Sequence, residues 1–274
     1  MRNLSKTTIK RKRKRISPVN YCGSRLKVLK ELAVFTQFCN FVAVKMQKLM
    51  KRYAIIVAGG SGSRFGGPVP KQFQELAGRP VLMHTIDKFA LHPSQPSTVV
   101  VVLPERLREY WQGLCRQYRY ATAHRVVAGG DSRFESVKNA LERMSFSTGD
   151  LVAVHDGVRP MASHALIGRV FEQAALAGAA IPVVPVTDSV RHVADDGRSM
   201  PLLRDTLRAV QTPQAFDAIR LQRGYDVPYD SGYTDDASVW EHSGGKVTLV
   251  EGETTNIKIT HPLDMLVAEY LLKR

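Results

Sequence analysis

Cysteine is scarce in this chain, and long uninterrupted apolar runs are missing. Three cysteines occur among 274 residues, and two of them, Cys22 and Cys39, lie within the first 50 residues. The absence of a disulfide framework and of a CxxC metal pattern argues against a disulfide-stapled secreted protein and fits a reducing cytoplasm. The longest apolar stretch, residues 32–44, is interrupted by Thr, Gln and Asn and is too short to span a bilayer. We therefore expect a cytoplasmic protein without a membrane segment.

Acidic residues are nearly absent from the first 50 residues. This segment holds 13 Lys and Arg and a single acid, Glu31, so it carries +12 of the chain's +14 and leaves +2 to the other 224 residues. The basicity therefore belongs to a leader, residues 1–49, rather than to the main body, residues 50–274. Because basic and aromatic residues do not interleave in the body, no nucleic-acid partner is expected there.

Three interpretations of the leader remain open. It is basic and poor in acids, as targeting peptides are, but it has no clear small-residue cleavage site. Its run KRKRKR is typical of nucleic-acid-binding arms, so a nucleic-acid-binding protein acting through the leader is an alternative function of a different class. The third interpretation is that translation begins at Met50, so that residues 1–49 are an upstream mis-start or a disordered extension.

From Met50 onward, short apolar runs alternate with helical patterns. The apolar runs are nearly continuous, as in parallel strands covered on both faces, and they occur at residues 53–58, 98–103, 150–156 and 179–186. Helical patterns lie between or after them, at residues 80–91, 104–118, 132–144 and 163–178. Ser132 and Glu135 have the spacing of a capping box at the start of the third helix. The alternation predicts one α/β domain with a Rossmann-like, doubly wound, mainly parallel sheet, which binds ligands at the carboxyl ends of its strands.

Residues 187–211 interrupt this alternation. They are polar, contain a turn signal at 195–197 (DDG) and are flanked by β-prone pieces. We predict that they form a hairpin-like β-arm projecting from the sheet. Beyond the arm, the pattern predicts a helix near 235–244, a strand at 246–252 and a closing helix at 262–274.

A glycine-rich stretch, VAGGSGSRFGGPVPKQF at residues 57–73, follows the first predicted strand. It lacks the third glycine of a dinucleotide-binding fingerprint, because Phe65 stands at that position. It also lacks the Gly-Lys-Ser/Thr of a Walker A loop, because Pro68 follows Gly67. These absences disfavour hydride transfer and P-loop hydrolysis.

The residues that are present in this stretch favour another phosphate site. Gly59, Gly60 and Gly62 allow backbone N–H groups to approach a polyphosphate closely. Arg64 and Lys71 would add positive charge for a triphosphate. The alternative is a glycine-rich turn with a solvated Arg and Lys, and the presence of both cations beside Pro70 and Gln72 argues against it.

Six motifs occur in order along the body and none in the leader: AGGSGSRFGGPVPKQF (58–73), AGGDSRFESV (128–137), VHDGVRP (154–160), QTPQAF (211–216), TDDAS (234–238) and NIKIT (256–260). Together they resemble the 2-C-methyl-D-erythritol 4-phosphate cytidylyltransferase family of isoprenoid precursor biosynthesis. The resemblance implies a nucleotide-diphospho-sugar transferase fold. It also implies transfer of CMP from CTP to 2-C-methyl-D-erythritol 4-phosphate, with Mg²⁺ bound together with CTP.

The resemblance also implies roles for individual residues. It implies catalytic roles for Arg64, Lys71 and Lys258. Nucleotide binding is implied for Ala58, Gly59, Gly60, Gly62, Gly130, Asp131, Arg133 and Ser136. Acceptor binding is implied for Asp156, Arg159, Arg204 and Thr234. Asp156 is also the implied ligand of Mg²⁺, and Arg204 would reach the neighbouring subunit of a homodimer joined through the arm.

Several of these residues also have local interpretations. Asp156 and Arg159 would stabilise a turn, a Thr-Asp pair at Thr234 is usually a helix cap, and Arg204 is equally an exposed arm residue. His155 is expected to be structural, because no second ligand or nucleophile accompanies it at metal-site spacing. A cytidylyltransferase acting on ribitol 5-phosphate would use the same CTP apparatus, and the motifs barely separate the two acceptors.

Overall fold

The computed structural model describes residues 50–60, 65 and 69–273 of the chain. The predictions for the leader, for Gly62 and for Arg64 lie outside these described residues. The described strands are β1 (Arg52–Val57), β2 (Glu75–Leu76), β3 (Arg79–Pro80), β4 (Thr98–Leu103), β5 (Arg125–Ala128), β6 (Leu151–Asp156), β7 (Ala179–Pro185), β8 (Val190–Val193), β9 (Ser199–Leu202), β10 (Arg208–Val210), β11 (Gln214–Asp217) and β12 (Thr248–Glu251).

Seven α-helices are found among the described residues: α1 (Val81–Ala90), α2 (Glu105–Gln117), α3 (Arg133–Glu142), α4 (His164–Ala177), α5 (Ala218–Gly224), α6 (Asp236–His242) and α7 (Pro262–Leu272). The predicted capping box is present at the start of α3. The amide of Glu135 donates to Ser132 Oγ at 3.0 Å, and the amide of Ser132 donates to Glu135 Oε2 at 2.9 Å. No helix within the described part of the chain has the length and apolarity needed to cross a membrane.

The central sheet has the strand order β10-β7-β11-β6-β1-β4-β5, and β12 pairs with β7. The pairs β1–β4, β1–β6, β4–β5 and β7–β12 are parallel. This arrangement confirms the predicted α/β class with a mainly parallel sheet. From β1 the chain winds outward through β4 to β5 and then returns to β6 on the other side of β1. The reversal of winding therefore lies between β1 and β6, where a doubly wound sheet opens a crevice for ligands.

The apolar runs of the strands explain why helices cover both faces of the sheet. In β1, Ile55 packs into one core, which contains α3, α5 and α6 side chains, while Ile56 packs into the other, with α1, α2 and α4. Both isoleucines are fully buried. Burying such side chains contributes about 1.5–3 kcal/mol each, which is why strands of this composition occupy the middle of the layered structure.

The sequence pattern did not assign β11, and its direction makes the sheet mixed. This strand runs antiparallel to both β6 and β7, with Gln214 opposite Val154 and Phe216 opposite Ala179. Its four residues are too few to indicate a strand direction from periodicity alone. Because β11 is inserted between β6 and β7, the segment around residues 211–214 passes directly over the carboxyl end of β6.

The segment predicted as an arm contains an antiparallel hairpin of β8 and β9. Ala194 and Arg198 close its turn, with the amide of Ala194 donating to the Arg198 carbonyl at 2.8 Å, and Gly197 adopts a positive φ of 81°. The last part of the predicted segment differs, because β10 pairs antiparallel with β7 and so belongs to the central sheet. The part outside the central sheet is therefore residues 187–207.

Candidate active site

The carboxyl ends of three strands bring the predicted site residues together. Val57, the last residue of β1, lies opposite Asp156, the last residue of β6. Beyond these ends the backbone continues the pairing, since the Gly157 amide donates to the Val57 carbonyl at 2.8 Å. On the other side, the Gly129 amide that follows β5 donates to the Leu103 carbonyl at 2.8 Å. The turns after β1, β5 and β6 therefore face one another.

A cavity of about 440 Å³ lies between these turns. Ten of the residues predicted for the site line it: Ala58, Gly59, Gly60, Lys71, Gly130, Asp131, Arg133, Ser136, Asp156 and Lys258. They come from four of the six sequence motifs, which are far apart in the chain. The sheet topology thus assembles most of the implied nucleotide-binding and catalytic residues around one cavity.

The turn after β5 is built around Ser136, in the first turn of α3. The Gly130 amide donates to Ser136 Oγ at 3.1 Å. A side chain at Gly130 would bring its Cβ within 2.4 Å of Glu135 Cβ, so only glycine fits there without rearrangement. The turn is consequently held close to the amino end of α3, where backbone N–H groups remain available to a ligand.

Lys71 reaches the cavity from a short 3-10 turn, Lys71–Phe73, at the end of the glycine-rich stretch. Two neighbours anchor this turn. Gln72 is buried and donates from Nε2 to the Ala58 carbonyl at 2.8 Å, while the Phe73 ring stacks on Trp111 with centroids 5.8 Å apart. The turn is therefore tied to the end of β1 and to α2, and Lys71 lies beside the cavity on a supported backbone.

A second cavity, of about 320 Å³, adjoins the first. Its lining includes the predicted acceptor residues Asp156, Arg159 and Thr234. Arg133, Asp156 and Lys258 line both cavities. The two compartments therefore meet at two cations and one carboxylate.

Asp156 is the electrostatic centre of this boundary, and its side chain is only 12 % exposed. Its Oδ2 lies 3.0 Å from Arg159 Nε and 3.1 Å from Lys258 Nζ. Burial alone would raise the pKa of Asp156. The charges of Lys258, Arg133 and Arg159 outweigh that effect and hold the pKa of this carboxyl well below its ordinary range. Asp156 is therefore ionised at neutral pH.

Arg133 is oriented by a buried carboxylate on the neighbouring helix. Its Nη2 lies 2.5 Å from Asp236 Oδ2, and the hydroxyl of Tyr225 donates to Asp236 Oδ1 at 2.6 Å. Burial opposes the charge of Arg133, but the carboxylate of Asp236 outweighs it and raises the pKa of the guanidinium. The prediction assigned Arg133 to the base pocket, whereas its side chain also lines the second cavity.

Arg159 is fixed from two sides. Besides its contact with Asp156, it donates from Nη1 to the Asn256 carbonyl at 2.9 Å. Asn256 precedes Lys258 in the motif NIKIT, so this bond ties the turn after β6 to the loop that carries Lys258. The guanidinium of Arg159 and the ammonium of Lys258 therefore share one rigid corner of the second cavity.

Arg204 does not line either cavity of its own chain. It lies in a 3-10 turn of the arm, where its Nη1 donates to the Thr187 carbonyl at 2.8 Å, and its side chain is 52 % exposed. Gly62 and Arg64 fall outside the described residues, so the structure gives no position for them.

Three polar residues that line the second cavity were not singled out from the sequence: Gln211, Thr212 and Gln214. All of them lie inside motifs that were recognised, so the motifs located them without showing that their side chains matter. Gln214 illustrates the problem, since its amide group bonds Asp235 Oδ2 at 2.8 Å and the Ala237 amide at 3.0 Å. The sequence alone does not reveal which of them faces a cavity.

The described residues contain no group of three or more His, Cys, Asp or Glu side chains arranged to hold a metal ion. A divalent cation at this site would therefore take few ligands from the described part of the chain. Mg²⁺ is commonly bound in this way, through one or two carboxylates together with substrate phosphates and water. The ionised carboxylate of Asp156, at the junction of the two cavities, fits that pattern.

Comparison with known proteins identifies the family. Residues 53–274 match the family model described as IspD, 2-C-methyl-D-erythritol 4-phosphate cytidylyltransferase. This chain belongs to that family. A relative of the same name from Porphyromonas gingivalis is 49 % identical over 223 residues, covering 81 % of this chain and 98 % of the relative. Another from Phocaeicola vulgatus is 44 % identical, covering 81 % of this chain and all of the relative.

Solved structures of the cytidylyltransferase family have the same fold. The 4-diphosphocytidyl-2C-methyl-D-erythritol synthase from Anaerococcus prevotii is 30 % identical with a TM-score of 0.68, over 82 % of this chain and 99 % of that one. The enzyme from Thermus thermophilus is 31 % identical with a TM-score of 0.63, over 80 % and 98 % of the two chains. These matches confirm the family resemblance seen in the six motifs.

Proposed function

We propose that this enzyme transfers CMP from CTP to 2-C-methyl-D-erythritol 4-phosphate. An oxygen of the acceptor phosphate attacks the α-phosphorus of CTP and forms a new P–O bond. The bond from the α-phosphorus to the β-phosphate oxygen breaks, and pyrophosphate leaves. The products are 4-diphosphocytidyl-2-C-methyl-D-erythritol and pyrophosphate.

The single observation that carries this proposal is the shared boundary of the two cavities. One cavity is lined by backbone and small polar groups suited to a nucleotide, and the other by Arg159 and Thr234, which suit a phosphorylated polyol. Arg133 and Lys258 stand where the two ligands would meet. A reaction that joins two phosphates requires cations at that junction.

Electrostatics explains how this arrangement would promote the reaction. The second pKa of a phosphate monoester is about 6, so the attacking oxygen is already deprotonated at pH 7 and no general base is needed. The difficulty is the repulsion between two polyanions, since each pair of unit charges at about 4 Å interacts by roughly 4 kcal/mol at an effective dielectric of 20. Lys258 and Arg133 offset that repulsion at the junction, and Lys71 stabilises the charge that develops on the departing pyrophosphate.

The remaining nucleotide contacts follow from the geometry of the turns. Gly59 and Gly60 would offer backbone N–H groups to the triphosphate, and Arg64 would add a second cation from the same stretch. Ala58 would line the phosphate site without donating, because its amide already donates to the Val102 carbonyl at 2.9 Å. Gly130, Asp131 and Ser136 would read the cytosine edge with small polar and backbone groups. We expect CTP to be strongly preferred over UTP, ATP and GTP, and a flat nucleotide profile would contradict this assignment.

Mg²⁺ is the proposed cofactor, with Asp156 as its protein ligand beside the nucleotide phosphates. When bound, the cation would neutralise phosphate charge and polarise the α-phosphate. The low pKa of Asp156 supports this role, because the carboxylate is available without the loss of a proton. Lys258, which contacts the same oxygen and has a side chain that is 45 % exposed, would then turn toward the phosphates of the substrates.

A homodimer joined through the arm is the proposed assembly. The arm presents exposed apolar side chains, with Val193 64 %, Met200 61 % and Leu203 70 % exposed. Arg204, next to Leu203, lines neither cavity of its own chain, which supports a role in the neighbouring subunit.

The single cysteine of the body, Cys115, is free, which is in keeping with the proposed cytoplasmic location.

The names of the relatives given above support 2-C-methyl-D-erythritol 4-phosphate as the acceptor. They give no support to ribitol 5-phosphate. The direct test measures pyrophosphate release from CTP with each of the two polyol phosphates, using the same purified enzyme. We expect kcat/KM for 2-C-methyl-D-erythritol 4-phosphate to exceed that for ribitol 5-phosphate by at least about a hundredfold. Equal values, or a preference for ribitol 5-phosphate, would overturn the proposed acceptor.

A further inference from the structure

His155 occupies a position behind the second cavity that the mechanism above does not use. Its side chain is fully buried between Val154 and Asp156 in β6, and its ring packs on Phe89 with centroids 4.9 Å apart. Both ring nitrogens are engaged. Nε2 lies 3.1 Å from the Arg159 carbonyl, and Nδ1 lies 3.0 Å from Thr212 Oγ1.

These contacts define which nitrogen carries the proton. A carbonyl oxygen only accepts, so Nε2 of His155 is protonated and donates to Arg159. In a neutral ring Nδ1 is then the acceptor, and the Thr212 hydroxyl donates to it. That hydroxyl oxygen also accepts a hydrogen bond from the Asp156 amide at 3.1 Å. Burial lowers the pKa of His155 to about 4, in agreement with a neutral imidazole at pH 7.

Both hydrogen-bond partners of the His155 ring belong to the lining of the second cavity. Thr212 and Arg159 both line the second cavity, and neither lines the first. Thr212 is 57 residues from His155 in sequence and precedes β11, whereas Arg159 belongs to the turn after β6. The imidazole therefore bridges two separate chain segments that form the wall of a single compartment.

We propose that His155 is a positioning residue for the acceptor, acting through the hydroxyl of Thr212 and the backbone of Arg159. One hydrogen bond of the ring holds the backbone carbonyl of Arg159 in place. It thereby sets the direction in which the guanidinium of Arg159 extends. The other fixes the rotamer of Thr212 and, through it, the end of β6 at Asp156. Neither Thr212 nor Arg159 lines the nucleotide cavity, which shares only Arg133, Asp156 and Lys258 with the second cavity, so we expect binding of the acceptor to be affected more than binding of CTP. This inference rests on the proposed function, because it assigns the second cavity to the acceptor.

The test compares His155→Phe with His155→Gln in the full-length enzyme. Phenylalanine fills the volume and keeps the ring contact with Phe89 but removes both hydrogen bonds, whereas the amide of glutamine can still donate to the Arg159 carbonyl. His92→Phe is the matched control. His92 is also buried and its Nε2 lies 3.0 Å from the His164 carbonyl, but it lines neither cavity.

We expect His155→Phe to raise KM for the acceptor about tenfold, the usual effect of losing one or two hydrogen bonds, while KM for CTP changes less than about threefold. His155→Gln should recover part of the acceptor KM, and His92→Phe should leave both KM values near wild type. Thr212→Val should resemble His155→Phe, and the double variant should be no worse than the poorer single variant, because both substitutions break the same connection.

Two results would overturn the proposal. One is an equal rise in both KM values accompanied by a lowered unfolding temperature, which indicates general destabilisation. The other is a set of additive effects for Thr212→Val and His155→Phe. If wild-type enzyme releases no pyrophosphate with 2-C-methyl-D-erythritol 4-phosphate, the proposed function fails instead, and the two failures are thus distinguished.

Discussion

The two cavities and the arm differ in which side chains they bury and which they expose. Around the cavities two buried carboxylates are paired within the chain, Asp156 with Arg159 and Asp236 with Arg133. In the arm, strands β8 and β9 bury none of their side chains fully, and large apolar residues are exposed. A polar site that is complete in one chain needs rigidity, whereas an exposed apolar hairpin is stabilised by a second surface. This difference supports the proposal that one chain forms both cavities by itself and that the arm acts in a homodimer.

The largest effect expected on the cavity side of this comparison comes from Lys71→Met. We predict a kcat lowered by about 10²–10³-fold, because one preorganised cation is removed from the charge developing in the transition state. Folding should be unaffected, since the turn is anchored by Gln72 and Phe73. Steady-state pyrophosphate release and thermal unfolding measure the two properties. Lys51→Met, an exposed lysine outside both cavities, is the control, and near-normal turnover of folded Lys71→Met would refute the role.

Arg204→Ala tests the arm side of the comparison. We predict a loss of about 10- to 100-fold in kcat/KM for the acceptor, because a cation that grips the acceptor phosphate is lost. If the residue acts in the neighbouring subunit, mixing Arg204→Ala with Lys71→Met under conditions of subunit exchange should restore activity to about a quarter of the sites in a twofold dimer.

Two outcomes would contradict this view of the arm. One is the absence of any recovery on mixing the two variants after exchange has been verified. The other is a monomer of full activity. Size-exclusion chromatography with light scattering tests the second outcome directly, using Met200→Asp to place a charge on the exposed apolar surface of the hairpin. We expect that variant to be monomeric and poorly active with the acceptor.

The pH dependence of stability should differ between a buried histidine beside the second cavity and an exposed histidine in the arm, with an effect of intermediate size. The folded-state pKa of His155 is lowered to about 4, against about 6.5 unfolded, so its contribution is fully present above pH 6.5 and is lost as the pH falls toward 4. At pH 5 the loss amounts to about 2 kcal/mol. Urea unfolding between pH 7 and pH 5 should show a weaker pH dependence for His155→Phe than for wild type. His192→Phe, in the exposed arm, is the control, and equal slopes for all three proteins would contradict the prediction.

Ser136→Ala should give the smallest effect, within the nucleotide cavity. Loss of the bond from the Gly130 amide loosens the turn after β5 and should raise KM for CTP about three- to tenfold, with kcat less affected. Ser243→Ala is a matched control, because its hydroxyl bonds the Trp240 carbonyl and lies outside both cavities. Unchanged CTP kinetics in Ser136→Ala would remove Ser136 from the nucleotide site.

The regular elements were largely predictable from the sequence. The four long apolar runs coincide with β1, β4, β6 and β7 to within one residue at each end, and the four helices before residue 180 agree to within two. These elements follow from local rules, namely apolar periodicity and capping. The sequence pattern did not predict the short elements β5, α5 and β11, because so few residues show too little periodicity to be recognised.

The sequence predicted most of the residues that form the site, but not the side-chain contacts between them. Motifs indicated most of the residues around both cavities, yet nothing local shows that Arg133 pairs with Asp236, which is 103 residues away. The same holds for His155, whose sequence context suggested only a structural histidine. Its partner Thr212 becomes a neighbour because β11 inserts antiparallel beside β6.

By itself, the sequence determined the alternation of strands and helices, the position of the glycine-rich stretch, the capped helix α3 and the family motifs, since each depends on residues within one short segment. Only the tertiary structure decided that two cavities meet at Arg133, Asp156 and Lys258, and that one imidazole joins Thr212 to Arg159. The physical reason is distance along the chain. Such contacts form only when the packing of the whole sheet brings remote segments together, and burial then determines which charges and protons they keep.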